Sequence, residues 1–538
     1  MERRAFVQNT LLALAGAALG AAKLPGAQNT IAPRGNTGRT RLSVHWNERL
    51  GKINRNAYGH FAEHLGGCIY DGMWVGTDSK VPNANGLRLA SIDALKRIQT
   101  PVIRWPGGCF ADAYNWRDGI GPRDRRPRTW NLWWHRDESN EFGSHEFLQF
   151  CRLADAQPYF CLNVGSGNPR EAMEWVEYVN GKEGTTLARW RAANGHAEPY
   201  GVRYWAVGNE NWGCGGHFDP DDYARTYDRF VTYLKPLRTY SPLEFIACGF
   251  TNEWNQKFLE TRKKRNNGRL PNMHQLSIHW YTHMGKSVDF TDAEYYGLLK
   301  GVSPGLEKNI RDTIAILDFF NTDGPPIGVA VDEWGVWHPD ITGSRETALL
   351  QNSTLRDALL AAACLNVFNR FGSRVTMGNI AQTFNVLQCL AFTRGPEFVL
   401  TPSYHVFDMF QPHMDAMALR TSVDGPTLPS AGEKDPTVAC LSASASLKES
   451  EKRLCLTLVN QHLTDPMELE INLLGLDLAN VRRARLRELI SKSVRDENTF
   501  EKPSTVLPPT EKTIAWKGTK VVHVLPPHTI QAIVAELG

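Results

Sequence analysis

From about Leu42 to His413 the chain repeats one alternation, a short apolar β-rich run followed by a longer helical pattern. The runs are PVIRW, QPYFCLNVG, VRYWAVGNE, LEFIACG, QLSIHWY, IGVAVDEW and RVTMGNIAQ, most of them closing on or near Gly, Asn, Glu or His. One helical stretch is Asp221 to Lys235, where Asp219 can cap, Pro220 suits the first turn, and Tyr223, Tyr227, Phe230, Val231 and Leu234 share a face. Another, Leu355 to Phe368, is apolar around most of its circumference and reads as well buried. Strand and helix repeated this often imply a parallel sheet with helices outside it. A doubly wound sheet usually carries a glycine-rich phosphate loop after its first strand, and the sequence has none. Polar residues at several strand ends favour an α/β fold of the (β/α)8 kind, residues 42–413. After about Asp415 short alternating strands separated by turn residues take over, which predicts an antiparallel β-sandwich over 414–538.

The ends and the charge bound the class further. Residues 1–28 read as a targeting segment with a twin-arginine-like pattern: Arg3, Arg4 and Phe6, a weakly apolar run from Leu11 to Ala22, then Lys23. The expectation is an exported protein, periplasmic or extracellular, with no membrane attachment after processing. Sixty basic residues against 57 acidic give a net charge of +3, too even for a nucleic-acid footprint. Ten cysteines in 538 residues do not make a disulfide scaffold.

Two motifs carry chemistry. In YWAVGNENWGCGG, Tyr204 to Gly216, an apolar strand ends in Gly-Asn-Glu and sets Glu210 at the C-terminal rim of a barrel. In GVAVDEWGVWH, Gly328 to His338, a second apolar strand ends in Asp332-Glu333. A charged group closing an apolar strand is costly unless it is used there. Two such glutamates facing each other across one barrel mouth are what glycoside hydrolysis requires, one as carboxylic acid and one as carboxylate. Trp212, Trp334 and Trp337 fall inside these motifs and Trp105 closes the run PVIRW; all four are expected at the mouth, where a sugar ring would stack.

With these motifs in view, the chain resembles the α-L-arabinofuranosidases of glycoside hydrolase family 51. The likeness covers nearly the whole chain after its first residues and runs through YGHFAEHLGGCIYDG, RWPGGCFADAYNWRDGIGPRDRRP, ESNEFGSHEFLQFCRL, both glutamate motifs, QNSTLRDALLAA, NIAQTFNVLQ and LTPSYHVF. The resemblance implies a clan-A barrel with a β-sandwich and a retaining double displacement that needs no metal or organic cofactor. Carried over, Glu210 is the acid/base and Glu333 the nucleophile. Asn209 holds the sugar 2-hydroxyl, Glu63, Tyr281 and Gln382 bind the arabinofuranose, and His279 and Trp337 line the subsite. The expected substrate is a terminal L-arabinofuranose on arabinoxylan, arabinan or their oligosaccharides, released by an exo-acting enzyme that forms homo-oligomers.

One position departs from the pattern. Much of the family has an asparagine after Pro-Gly-Gly, and here Cys109 stands in that sugar-contacting place. Cys214 follows the acid/base by four residues, and Cys68 lies in the first motif. Two readings stay open: small buried hydrophobes, or a Cys109–Cys214 disulfide bracing the active-site loop. Other functions also remain at this level: a β-xylosidase or endo-glycanase of the same clan, or a non-catalytic carbohydrate-binding barrel. His60-Phe61-Ala62-Glu63-His64 matches the H-x-x-E-H pattern of a zinc peptidase. TWNLWWHR, with Trp130, Trp133 and Trp134, is a candidate platform for a polymer chain or for a neighbouring subunit.

Overall fold

The computed structural model describes residues 39–538 apart from 183, 284, 343–346, 431, 433–434 and 477–480. The expected targeting segment, residues 1–28, lies outside the described residues. Among them, no helix is long and apolar enough to cross a membrane.

Eight parallel strands close into a barrel: β1 (Gly59–Phe61), β2 (Val102–Trp105), β3 (Gln157–Leu162), β4 (Tyr204–Val207), β5 (Glu244–Ala247), β6 (Gln275–His283), β7 (Gly328–Trp337) and β8 (Val375–Ala381). Val102, Tyr159, Cys161, Tyr204, Ala206, Ile246, Ala330 and Met377 pack with one another as the barrel's own core. They are alternate residues of their strands, so Ile103, Trp105, Phe160, Trp205, Phe245 and Val331 face the helices instead. The alternation decides what the barrel mouth contains. On β2, Val102 points inward, so Arg104 does too and Trp105 does not. On β7 the register against β6 slips between Ile278 and His279, which pair with Val331 and Glu333 and skip Asp332. An extra residue on one strand breaks the alternation. Here it lets Asp332 and Glu333 both reach the groups inside the barrel.

Two of the four tryptophans expected at the mouth are therefore elsewhere. Trp105 stacks on Phe147 in the helix layer, and Trp334, next after Glu333, packs against Phe368 and Phe407. Trp212, stacked on Phe250, and Trp337, edge-on to Tyr281, are partly buried.

The other unit is a nine-stranded sheet in the order Thr510–Ile514, Val481–Leu489, Thr529–Leu537, Arg453–Asn460, Leu441–Lys448, Met417–Asp424, Thr40–Lys52, Met467–Leu474, Lys520–Leu525. Every pairing is antiparallel except that of Thr40–Lys52 with Met467–Leu474. Residues 42–52, expected in the barrel, thus belong to this sheet: they pair with Met417–Asp424 and Met467–Leu474, and only Thr40, Leu42 and Val44 alternate inward, for one flat face rather than for a barrel interior. The helix Leu355–Arg370 joins the two units. Its first fifteen residues are all buried, and Asn366 and Asn369 bond to Ser442, Ser444 and Thr457 of the sheet. Asn369 also accepts from Tyr58 beside β1, so the polar groups sealed in this junction are paired.

Candidate active site

Glu333 lies at the mouth end of β7, almost fully buried. Arg104 of β2 donates to its Oε1 at 2.8 Å and Tyr281 of β6 donates to its Oε2 at 2.8 Å. His279 Nδ1 is 3.7 Å from that second oxygen. Burial alone would raise the pKa of Glu333, but the neighbouring charges of His279 and Arg104 outweigh it and hold the carboxyl below its ordinary value. Glu333 is therefore a carboxylate with both oxygens aimed and no proton to give.

Glu210 follows β4 on a tight turn. Gly208 has φ +88°, with Asn211 filling the place of a side chain, and Glu210 itself has φ +40°. A left-handed non-glycine residue costs on the order of 1–3 kcal/mol and clusters at functional sites. Here it turns the carboxyl back over the barrel. His279 Nδ1 sits 3.0 Å from Glu210 Oε1, so one imidazole lies between the two glutamates. Glu210, His279 and Glu333 each offer an atom within 4.8 Å of the others, which brings a carboxylate oxygen of each glutamate within that distance. Burial would lower the pKa of His279, whereas Glu333 and Glu210 raise it above normal.

Asn209, one residue earlier, accepts from Arg104 through Oδ1 and from no other described side chain there; its backbone N–H is held by Asp112 at 2.8 Å. With the carbonyl oxygen engaged, the amide –NH2, whose described side-chain contact is a long one of 3.9 Å to Cys214 Sγ, is the end available to a ligand. Glu63 accepts from the backbone N–H groups of Gly108 and Phe110 at 3.1 and 3.2 Å and from Gln382 Nε2 at 3.0 Å. Burial, then the charge of Glu333, push its pKa up to about 7. Trp134 of the TWNLWWHR insert faces this carboxyl, its indole N–H outside normal bonding range. Trp130 of the same insert is half exposed. Thus Glu63, Asn209, Glu210, His279, Tyr281, Trp337, Glu333 and Gln382 all meet at one end of the barrel.

Cys109 and Cys214 are joined in a disulfide, Cα atoms 5.5 Å apart, and Cys68 is buried with a free thiol. The bridge ties the Pro-Gly-Gly loop after β2 to the loop that follows Glu210, and its sulfurs lie 3.8 and 3.4 Å from Glu210 Oε2. The hydrophobe reading holds for Cys68 and fails for the other two.

The zinc-peptidase pattern comes apart. His60 lies on strand β1, fully buried, with burial lowering its pKa to about 3. His64 uses both ring nitrogens, on Glu138 and Trp105, while Glu63 turns into the barrel. An H-x-x-E-H site needs a helix to bring its histidines together, and these residues form a strand and a bend.

Two groups escaped the motif search. Arg104 holds Glu333 and Asn209 together and stands 4.0 Å from Asp332. Asp112 accepts from the backbone N–H groups of Val164, Gly165 and Asn209 at 2.7, 2.7 and 2.8 Å, linking the loops after β3 and β4. A lone arginine inside the apolar run PVIRW was a legible signal, costly there unless paired. Asp112 carried none, because its partners are backbone groups.

Comparison with known proteins agrees with this geometry. The model of the α-L-arabinofuranosidase 1 domain matches residues 94–294, and that of the α-L-arabinofuranosidase C-terminal domain matches 332–529. The intracellular exo-α-L-arabinofuranosidase of Bacteroides ovatus is 38% identical over 493 residues, 90% of this chain and 93% of that protein. The family 51 arabinofuranosidase of Xanthomonas axonopodis pv. citri superposes with a TM-score of 0.84 at 33% identity, covering 93% of this chain and 100% of that one. The arabinose complex of α-L-arabinofuranosidase from Thermotoga maritima gives 0.80 at 31%, with 93% and 100% covered. The Bacteroides relative also corrects one expectation: a protein similar along nearly its full length is named intracellular, which overturns the reading of this chain as exported.

Proposed function

The chain belongs to the α-L-arabinofuranosidases of glycoside hydrolase family 51, and from that premise we propose that it releases terminal L-arabinofuranose by retaining double displacement. The observation that carries the stereochemistry is the approach of the two glutamates. Retaining pairs stand about 5–5.5 Å apart and inverting pairs about 6.5–9.5 Å, the difference being room for a water. A carboxylate oxygen of each glutamate within 4.8 Å of the other, with one imidazole touching both, supports the closer, retaining arrangement.

Glu333, ionised and oriented by Arg104 and Tyr281, attacks the anomeric carbon. Glu210 protonates the leaving oxygen, then takes a proton from the water that hydrolyses the glycosyl-enzyme. His279, whose Nδ1 faces both carboxyls, orients Glu210 and favours its ionised form once the proton has left for the leaving oxygen. Asn209 donates to the sugar 2-hydroxyl, Glu63 and Gln382 hold the remaining hydroxyls, and Cys109 and Trp337 wall the ring. Exo action is supported by the name of the Bacteroides relative, and arabinoxylan, arabinan or their oligosaccharides are the substrates proposed. Half-exposed Trp130 and exposed Leu132 support either a polymer chain or a second copy at that edge.

Time-resolved NMR of a 4-nitrophenyl α-L-arabinofuranoside digest tests the mechanism. The first arabinose seen should be the α anomer, decaying to the equilibrium mixture; β anomer first would refute double displacement. Faster turnover of the β-D-xylopyranoside would refute the substrate while leaving the two glutamates in place.

A further inference from the structure

We propose that Cys109, Cys214 and Glu210 form a thiol-gated site for a soft divalent cation such as zinc: the disulfide excludes the ion, the dithiol binds it, and binding stops turnover. In the bridged state both sulfurs face Glu210 Oε2, at 3.4 and 3.8 Å. A disulfide sulfur has no hydrogen to donate, so this oxygen is left with contacts that satisfy it poorly. Two thiolates and a carboxylate are, by contrast, a zinc donor set. With Zn–S near 2.3 Å and Zn–O near 2.1 Å, tetrahedral angles place sulfur and oxygen about 3.6 Å apart. The two observed spacings bracket that value. Only the sulfurs must separate, to about 3.8 Å, which side-chain rotation supplies across Cα atoms 5.5 Å apart. Glu210 keeps its other oxygen on His279, which fixes the carboxylate in place.

The site is also reachable. Cys109 and Cys214 are partly exposed, whereas the free cysteines of the described residues are all buried. Among those residues, two groups of three or more ligand atoms lie close enough for one ion, and Glu210 belongs to both. The second, Glu210, His279 and Glu333, lacks thiols and is the hydrolytic centre itself.

The gating step balances. A small dithiol is oxidised to its cyclic disulfide while the Cys109–Cys214 bond takes up two electrons and two protons. Zinc then displaces the two thiol protons to solvent. Loss of turnover rests on the acid/base role proposed for Glu210; metal binding does not.

The test uses the full chain, oxidised or reduced with a dithiol that is then removed without air. Thiol titration of the native protein should rise by two on reduction. Cobalt, a spectroscopic stand-in for zinc, should give thiolate charge-transfer absorption saturating at one ion per chain in the reduced protein and none in the oxidised. Cys214→Ser should abolish that band, and Glu210→Gln should keep it with weakened affinity, because a neutral amide oxygen replaces a carboxylate ligand. Zinc at a slight excess should lower kcat of the reduced enzyme by about tenfold or more, reversibly with a chelator, and leave the oxidised enzyme within about twofold. No new thiols, no band in the reduced protein, or an equal band in Cys214→Ser each overturns the site. A band with kcat untouched by zinc overturns the gating of turnover: if Glu210→Gln has also weakened cobalt binding, the acid/base role of Glu210 falls, and if it has not, Glu210 falls as a ligand. The comparison of oxidised with reduced protein needs no variant and holds even if Cys214→Ser does not fold.

Discussion

A guanidinium stands between Glu333 and Asp332 at the mouth of the barrel, 2.8 Å from one and 4.0 Å from the other. Arg104 is buried, so its charge is weakly screened and its removal leaves carboxylates unbalanced in a dry place. Arg104→Gln should therefore lower stability by roughly 3–5 kcal/mol and kcat/KM by about a hundredfold or more. Its pH profile separates an electrostatic role from a merely structural one. Glu333 has a pKa below its ordinary value, against the pull of burial, because His279 and Arg104 sit beside it. It must be ionised to attack, so the acid limb of kcat/KM in the native enzyme should lie below the usual glutamate value of about 4.3. In Arg104→Gln the limb should move to higher pH; an unmoved limb would leave Arg104 as packing. The same depressed pKa gives the native state stability above the unfolded value that is lost as pH falls through the folded one. Asp357, bonded to His338 and Arg356, carries the same sign, so acid should weaken the enzyme by both routes.

The elements that carry these side chains set how much error the site tolerates. In the loop after β2, a methyl group on Gly108 would lie 2.7 Å from Glu333 Oε1 and 3.2 Å from Asn209 Nδ2. Gly108→Ala should then displace the nucleophile and cost about a hundredfold in kcat, with the melting temperature little changed because only the mouth must adjust. Asp112 works differently. Its carboxylate accepts three backbone N–H groups from two loops, and the last of these belongs to Asn209. Asp112→Asn points an –NH2 at donors, leaves at least one buried N–H unpaired, and should destabilise by about 1–3 kcal/mol. Hydrogen exchange at Val164, Gly165 and Asn209 should speed up together, and kcat should fall as Glu210 loses its placement. Seven of the eight barrel strands were legible as apolar runs, and both glutamates as the polar residues ending two of them. The first strand, Gly59–Phe61, was not, because three residues give no period to read. Trp334 misled for a related reason: its neighbour Glu333 does point into the mouth, but a strand sends the next residue to the other face.

At the scale of the whole molecule, the strand Thr40–Lys52 decides whether the sheet can exist apart from the rest of the chain. It pairs with Met417–Asp424 on one side and Met467–Leu474 on the other, so it lies inside the nine-stranded order rather than at its edge. Local pattern could not show this, since its partners are more than 350 residues away and the middle of the strand is interrupted by Asn47, Glu48 and Arg49. Without it, Met417–Asp424 and Met467–Leu474 each present an open edge, and buried Leu42 and Val44 no longer fill their places in the core. The helix Leu355–Arg370 closes the sheet from the barrel side through Asn366 and Asn369. A fragment of residues 414–538 lacks both supports, and we expect it to aggregate or stay unfolded by circular dichroism. Supplying residues 39–54 through a flexible linker should restore part of the strand signal but not a cooperative thermal transition. The faces that Ser442, Ser444 and Thr457 turn toward the barrel would still be open. A fragment 414–538 that melts cooperatively on its own would show that the sheet's register is set locally and that the first described strand only joins it afterwards.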